Sequence, residues 1–197
     1  MTDSFQFAPI KDVIAAIARG EMIVMVDDED RENEGDLIMA AQFATPEKIA
    51  FIVRYSSGVV VAPISGDRCD DLRLPLMVEH NTESHRTAFT ISVDLIEGTT
   101  TGISAADRAA TLRALADPQE SFASFARPGH IFPLRAREGG VLKRAGHTEA
   151  AVDLARMAGL EPAGIICEII NDDGSMSRLP ELIEFYPQTK FHAGSIG

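Results

Sequence analysis

The sequence predicts one α/β domain with a mixed sheet between helices. Three observations carry that prediction. Strand-like and helix-like segments alternate along the chain. Several strands are joined by hairpin-like connections, which a strictly parallel sheet would not allow. No repeat, low-complexity segment or linker divides the 197 residues, which suffice for one substantial core.

The elements follow in order. Ile10, Val13, Ile14 and Ile17 fall at helical spacing within residues 9–20, and Gly20 closes that helix. MIVMV at 22–26 reads as a strand, the acidic run DDEDRENEGD at 27–36 as a connection, and DLIMAAQF at 36–43 as the next strand. Thr45 and Pro46 start a helix to about Ser57, a cap followed by proline at the first helical position. GVVVAPI at 58–64 is a buried strand, residues 66–84 an irregular charged stretch, and TAFTISVDL at 87–95 a strand rich in β-branched and aromatic residues. After the loop GTTTG at 98–102, Ser104 with Asp107 caps a helix over 105–117. HIFPLRA at 130–136 is a strand, 137–146 a basic loop, and about 148–157 a helix ended by Gly159. AGIICEII at 163–170 is a buried strand turned by NDDG at 171–174. A last helix starts at Pro180, and a polar tail runs from Gln188.

Composition narrows the function. A formal net charge of −12 argues against nucleic acid or an anionic membrane surface as partner. An anionic metabolite would need a local basic pocket or a metal ion. The two cysteines, Cys69 and Cys167, lack metal-ligand spacing and suggest a reducing compartment. MTDSFQF lacks the regions of a signal peptide, and the longest apolar run, 58–64, is too short to span a bilayer. The expected location is the cytoplasm.

Four segments are candidates for chemistry. In the acidic run, Glu32, Glu34 and Asp36 alternate, so in extended backbone they share a face and call for a positive charge between them. A hard divalent cation such as Mg²⁺ would serve, and Arg31 suits a phosphate or carboxylate. The plain alternative is a solvated loop. In KRAGHT at 143–148, His147 stands before a helix start that favours an anion, with Arg144 beside it and a glycine, Gly146, that admits close approach. Arg135, Arg137, Lys143 and Arg144 form the clearest basic patch; the alternative is an ordinary surface loop. His130 opens a strand after a Pro-Gly turn and is either structural or a general acid or base. Glu168, in the middle of an apolar strand, needs either a basic partner or a proton-transfer role. GTTTG is a candidate anion cradle or a capped turn. His80, His85 and His192 read as surface residues.

Taken together, DDEDRENEGDLI (27–38), TAFTISVD (87–94), GTTTGISAADRAAT (98–111), RPGHIFPL (127–134), AGHTEAAVDLARMAGL (146–160) and ICEIINDDGSMSRLPEL (166–182) resemble the 3,4-dihydroxy-2-butanone-4-phosphate synthase family, in order and over nearly the whole chain. The resemblance implies a three-layer α/β/α sandwich and a lyase of riboflavin biosynthesis. Its substrate would be D-ribulose 5-phosphate and its products L-3,4-dihydroxy-2-butanone 4-phosphate and formate, formed through a metal-stabilised enediol and a skeletal rearrangement. The resemblance also implies site residues. Glu32 and His147 match the metal ligands, for Mg²⁺ or, with a histidine in the set, Mn²⁺. Arg31, Glu32, Asp36, Arg144, Ala145, Gly146, His147 and Thr148 match substrate-binding positions. His130 and Glu168 match catalytic positions, and Asp36 is the candidate base. The family implies a homodimer with sites shared across the interface. Some members carry a cysteine after the Ser-Gly pair; this chain has Val59, Val60 and Val61 there. At 197 residues, one monofunctional catalytic domain is expected over 1–197.

Overall fold

The computed structural model describes residues 6–189 and 192–196. Residues 1–5, read above for a signal peptide, and Lys190, Phe191 and Gly197 of the tail lie outside them. The elements are α1 (Ile10–Ala18), β1 (Ile23–Val26), β2 (Gly35–Ala40), α2 (Pro46–Tyr55), β3 (Val61–Ile64), α3 (Gly66–Asp71), β4 (Val93–Leu95), α4 (Ala105–Ala116), β5 (Phe125–Arg135), α5 (His147–Met157), β6 (Gly164–Glu168), α6 (Leu179–Thr189) and β7 (His192–Ser195).

The strands form one seven-stranded sheet in the order β4-β5-β3-β6-β2-β1-β7. It is mixed. β1–β2, β2–β6, β3–β6 and β4–β5 pair antiparallel, whereas β3–β5 and β1–β7 are parallel. Alternate residues of each strand point to opposite faces, and each face is covered. Val24, Leu37, Met39, Ala62, Ile165 and Cys167 pack with Ile49 and Ile52 of α2, Cys69 of α3, Leu112 and Leu115 of α4 and Leu182 of α6. Ile23, Met25, Ile38, Val61 and Ile166 pack with Val13 and Ile17 of α1 and Ala151 and Leu154 of α5. The result is the expected three-layer α/β/α sandwich.

Local rules account for most boundaries. Thr45 Oγ1 accepts from the Lys48 N–H at the start of α2, and Ser104 Oγ from the Asp107 N–H at the start of α4. Both cysteines are free and buried, and burial pushes the Cys69 thiol up to about 12. No helix among the described residues is long and apolar enough to cross a membrane.

The structure corrects five expectations. The stretch after β3 is not wholly irregular, because Ser65 caps the short helix α3. The segment 87–95 is a strand only from Val93; before that, Phe89 and Thr90 make isolated bridges to Leu134 and Leu76. Residues 36–43 form a strand only to Ala40 and end in a tight turn over Ala41–Phe43. The Pro-Gly pair at 128–129 lies inside β5, where a register shift between Val93 and Asp94 marks a bulge that accommodates a proline without an N–H. Finally, the tail is not free: HAGS pairs along β1, and the Ala8 N–H donates to the Ala193 carbonyl.

Gly129 marks where β5 crosses β4 most closely. A Cβ there would lie 2.0 Å from the Val93 carbonyl carbon and 2.3 Å from the Asp94 nitrogen, both backbone atoms. At Gly159 a Cβ would meet nothing within 4 Å, but the backbone is left-handed at φ 72. Gly159→Ala is therefore expected to cost about 1–2 kcal/mol from conformation alone. Gly129→Ala should cost more than about 2 kcal/mol, because backbone must move. Denaturant unfolding of the two variants checks the ranking; equal midpoints would contradict it.

Candidate active site

One end of the sheet gathers the charged residues. β1 ends at Val26, β2 begins at Gly35, and β6 ends at Glu168 there, because β2 runs antiparallel to both neighbours. The acidic run closes β1 to β2 over this end, and α5 presents its N-terminus to the same place. The half-open cavity here, of about 200 Å³, is lined by Arg31, Glu32, Asp36, Glu83, Thr87, Arg144, His147, Thr148 and Glu168 around an apolar floor of Val61, Phe89, Leu134 and Ile166.

Asp36 is the most strained charge in it. Its side chain is buried, and Oδ1 has no hydrogen-bond partner. It stands opposite Glu168 in the β2–β6 ladder. Burial, then the charges of Glu168, Glu32, Glu34 and Asp27, push its carboxyl well above the usual range. His147 Nδ1 lies 3.7 Å from Asp36 Oδ1 and 3.9 Å from Glu32 Oε2.

The other ring nitrogen, Nε2, lies 3.1 Å from the Met25 carbonyl. A carbonyl only accepts, so Nε2 carries the proton and Nδ1 turns a lone pair to the carboxylates. Burial holds the imidazole down at about 4, against the pull of Asp27 and Glu32, and so keeps it neutral. A neutral imidazole, carboxylates and an orphaned buried oxygen suit a divalent cation. One ligand atom each from Asp27, Glu32 and His147 lies within 4.8 Å of the others.

A solvated loop was the plain alternative for the acidic run, but the structure buries Asp27. It accepts from Arg31 Nη1 at 2.5 Å, from the Glu34 N–H at 2.8 Å and from the Glu32 N–H at 3.3 Å. Burial would raise its pKa; the Glu34 N–H, His147 and Arg31 outweigh it and hold the carboxyl below its ordinary value. The sequence signal was position: Asp27 follows the apolar strand with no spacer. Arg31 also pairs with Glu32 Oε2 at 2.6 Å, so its guanidinium sits between two candidate ligands.

The basic side of the cavity comes from two arginines and a helix start. Arg144 Nη1 donates to Glu149 Oε2 at 2.8 Å and Nη2 to Thr87 Oγ1 at 3.0 Å, which fixes its head. Gly146 lets both guanidiniums approach: a Cβ there would lie 2.4 Å from Arg144 Nη1 and 2.9 Å from Arg31 Nη2. Gly146 caps α5 without a side-chain bond, so the first N–H groups of α5 remain available to an anion.

Other expected residues fall elsewhere. Ala145 is exposed and does not line the cavity. Of the basic patch only Arg144 reaches it; Arg135 pairs with Asp70, and Arg137 and Lys143 line a separate surface recess. Glu168 is the last residue of β6 rather than its middle, and its partner is a hydroxyl, Ser57 Oγ, at 2.8 Å. His85, read as a surface residue, stands 4.0 Å from Glu32, and Glu83, Thr87 and Phe89 line the cavity; Thr87 and Phe89 fall in the matched stretch 87–94 but carry no implied site role there.

His130 also stands outside the cavity. Its Nδ1 lies 2.6 Å from Asp94 Oδ2, its N–H donates to Asp94 Oδ1, and its ring is 42% exposed. The GTTTG loop packs here as a capped turn: Thr100 Oγ1 and the Gly102 N–H donate to Asp107.

Because the folded-state pKa of Asp36 is raised, ionising it opposes folding. Below about pH 4, where the unfolded carboxyl is protonated, wild type and Asp36→Asn should have similar stability. As pH rises through the folded pKa, the wild type alone loses stability. Without divalent cations at neutral pH, Asp36→Asn should therefore melt higher. Thermal melts across that pH range in a chelator check this; a variant that melts lower at neutral pH refutes it.

Residues 11–197 match the family model described as 3,4-dihydroxy-2-butanone 4-phosphate synthase. The chain is 62% identical over 175 residues to the 3,4-dihydroxy-2-butanone 4-phosphate synthase of Agrobacterium fabrum, covering 89% of this chain and 82% of that one. It is 58% identical over 179 residues to the riboflavin biosynthesis protein RibBA of Salinispora arenicola, covering 91% of this chain but 43% of the relative, so it spans less than half of that longer protein. Among solved structures, a 3,4-dihydroxy-2-butanone 4-phosphate synthase in complex with two magnesium ions superposes with a TM-score of 0.93 at 46% identity, over 96% of this chain and 94% of that one. The synthase of Candida albicans superposes with a TM-score of 0.90 at 52% identity, over 98% and 95%. With the family model covering all but the first ten residues, this chain belongs to the 3,4-dihydroxy-2-butanone 4-phosphate synthase family.

Proposed function

We propose that the chain is the lyase that converts D-ribulose 5-phosphate to L-3,4-dihydroxy-2-butanone 4-phosphate and formate in riboflavin biosynthesis, with Mg²⁺ or Mn²⁺. One observation carries the reading: in a single cavity, the orphaned Asp36 oxygen, the Nδ1 lone pair of His147 and the Glu32 carboxylate face two guanidiniums at an open helix start. One side of the cavity is built for a cation and the other for a phosphate.

Glu32 and His147 would hold the cation, with Asp27 within reach to join them. When bound, it supplies a Lewis acid for the ketose carbonyl and its neighbouring hydroxyl oxygen. Arg144, Arg31, the Thr148 side chain and the first N–H groups of α5 hold the phosphate, as a helix start with fixed arginines favours an anion. Gly146 contributes by leaving room for them.

Asp36 is the base that takes the proton from the carbon beside the carbonyl. It is buried against the cavity, and its basicity is raised by its surroundings. Glu168, held by the Ser57 hydroxyl, returns protons in later steps. The apolar floor of Phe89, Leu134 and Ile166 keeps water from the reacting carbons.

His130 enters through a second subunit. It lies on β5 at the cavity end of the sheet, exposed and oriented by Asp94, yet outside its own chain's cavity. We place it in the cavity of a partner copy, within a homodimer whose two sites each draw on both chains.

Formate release from ribulose 5-phosphate and Mg²⁺ by pure protein tests the reaction. Binding without formate would indicate a silent binding module, and an isomerised or cleaved sugar without formate another sugar-phosphate enzyme. Glu32→Gln and His147→Ala should each abolish turnover while the fold persists; normal activity in either refutes the ligand assignment. Glu32→Gln mixed with His130→Ala should regain formate production, because a hybrid dimer has one intact site. No recovery from a mixture shown to exchange subunits sinks the shared-site reading.

A further inference from the structure

We propose that Arg178 is a positioning residue that clasps the acidic loop over the cavity and thereby sets the affinity of the site for its divalent cation. The inference rests on the reading of Glu32 as a ligand, and it concerns a residue outside the cavity.

The loop between β1 and β2 is tied down unequally. At its base, the Asp27 carboxylate accepts the N–H groups of Glu32 and Glu34, and the Asp27 N–H donates to the Glu34 carbonyl. Its first turn closes on itself, with the Arg31 and Asn33 N–H groups donating to the Asp28 carbonyl. These bonds use N–H groups and leave the carbonyls of residues 32 and 33 without a donor from the loop. Backbone carbonyls need a partner, and here one guanidinium supplies it. Arg178 Nη1 donates to the Glu32 carbonyl at 2.7 Å and also to the Asn33 carbonyl. Asn33 is left-handed at φ 53, a turn conformation that asparagine adopts more readily than other residues with a side chain. Arg178 therefore grips the loop at the candidate ligand and at the residue where its backbone reverses.

The mount of the clasp is rigid. Arg178 directly precedes α6; its N–H donates to Glu181 Oε2 at 3.0 Å, and its carbonyl accepts from the Leu182 N–H at 2.9 Å. Leu182 is buried and packs on Gly35, where a Cβ would lie 2.3 Å from Leu182 Cδ1. One turn of α6 thus holds both the end of the loop, through Leu182 on Gly35, and its crest, through Arg178. No Arg178 atom lines the cavity, so its influence passes through the backbone of Glu32.

A ligand carboxylate on an unclasped loop is correctly placed for only part of the time. Loss of such a supporting contact typically weakens metal affinity about 10–100-fold. The test titrates Mn²⁺ alone into the full chain, read by electron paramagnetic resonance and calorimetry. Arg178→Ala should weaken Mn²⁺ binding about tenfold and speed hydrogen exchange at 28–34, while the metal-free protein melts near wild type. Arg178→Lys, which keeps one donor head, should fall between. A merely structural role would lower the melting temperature without moving the Mn²⁺ affinity. Unchanged affinity in folded Arg178→Ala overturns the proposal; should that variant not fold, unchanged affinity in Arg178→Lys does so. Glu32→Gln separates the two readings. Loss of binding there with unchanged affinity in the Arg178 variants overturns the clasp alone, whereas wild-type affinity in Glu32→Gln overturns the ligand reading beneath it.

Discussion

The site is organised by an excess of negative charge at one end of the sheet. Asp36 and Glu168 face each other across the β2–β6 ladder. Directly opposed residues on antiparallel strands have Cβ atoms roughly 5 Å apart, and like charges there are destabilising. Glu32, Glu34 and Asp27 add to the same potential at Asp36. Such a cluster persists in a folded protein only if something offsets it. Here the offsets are the upward shift of the Asp36 carboxyl, which favours its neutral form, the guanidinium of Arg31 and, in the proposed function, a divalent cation.

That constraint explains features that otherwise look unrelated. His147 adds no positive charge of its own, since burial keeps it neutral and the Met25 carbonyl fixes the proton on Nε2. Its lone pair is thereby kept for a ligand role. Arg31 bridges Asp27 and Glu32, which ties the loop across its interior. Arg144 is tethered to Glu149 and Thr87 and cannot collapse onto the carboxylates. The two guanidiniums are neighbours at Gly146, one paired to the acidic loop and the other to Glu149 and Thr87.

Much of this was legible in the sequence because the candidate ligands sit in local motifs with physical signatures. Alternating carboxylates beyond an apolar strand and a Gly-His pair at a helix start both carry their chemistry in adjacent residues. The sandwich was legible because the central strands are almost wholly apolar and α1 and α2 are apolar on the face they bury. What escaped depends on distance through space. Asp27 looked solvated until the loop folded back on it. Glu83 and His85 lie in or just beyond an irregular stretch, Thr87 opens a segment read as a strand, and only tertiary packing brings this part of the chain to the cavity wall. HAGS lacks a strand signature, but the open edge of β1 supplies the ladder it joins. Arg178 reaches the Glu32 carbonyl across 146 positions of sequence, and no local pattern encodes such a bond.

The two attachments of the acidic loop differ in a way that bears on mechanism. Asp27 secures the base by accepting backbone N–H groups, and those bonds are compatible with a nearby cation because a carboxylate has lone pairs left for one. Arg31 secures the interior through Glu32, and that pairing competes directly with a cation for the same oxygens. Arg178 secures the crest through the carbonyls of Glu32 and Asn33 and stands 3.9 Å from the Glu34 carboxylate; Arg178, Asn33 and Glu34 all lie outside the cavity lining. The Arg31 Nη2 already stands on the Gly146 side of the loop, where a Cβ would lie 2.9 Å from it. The same guanidinium therefore touches the acidic side of the cavity through Asp27 and Glu32 and faces the helix start of α5. Arg178 holds the backbone that carries this arrangement from outside the cavity.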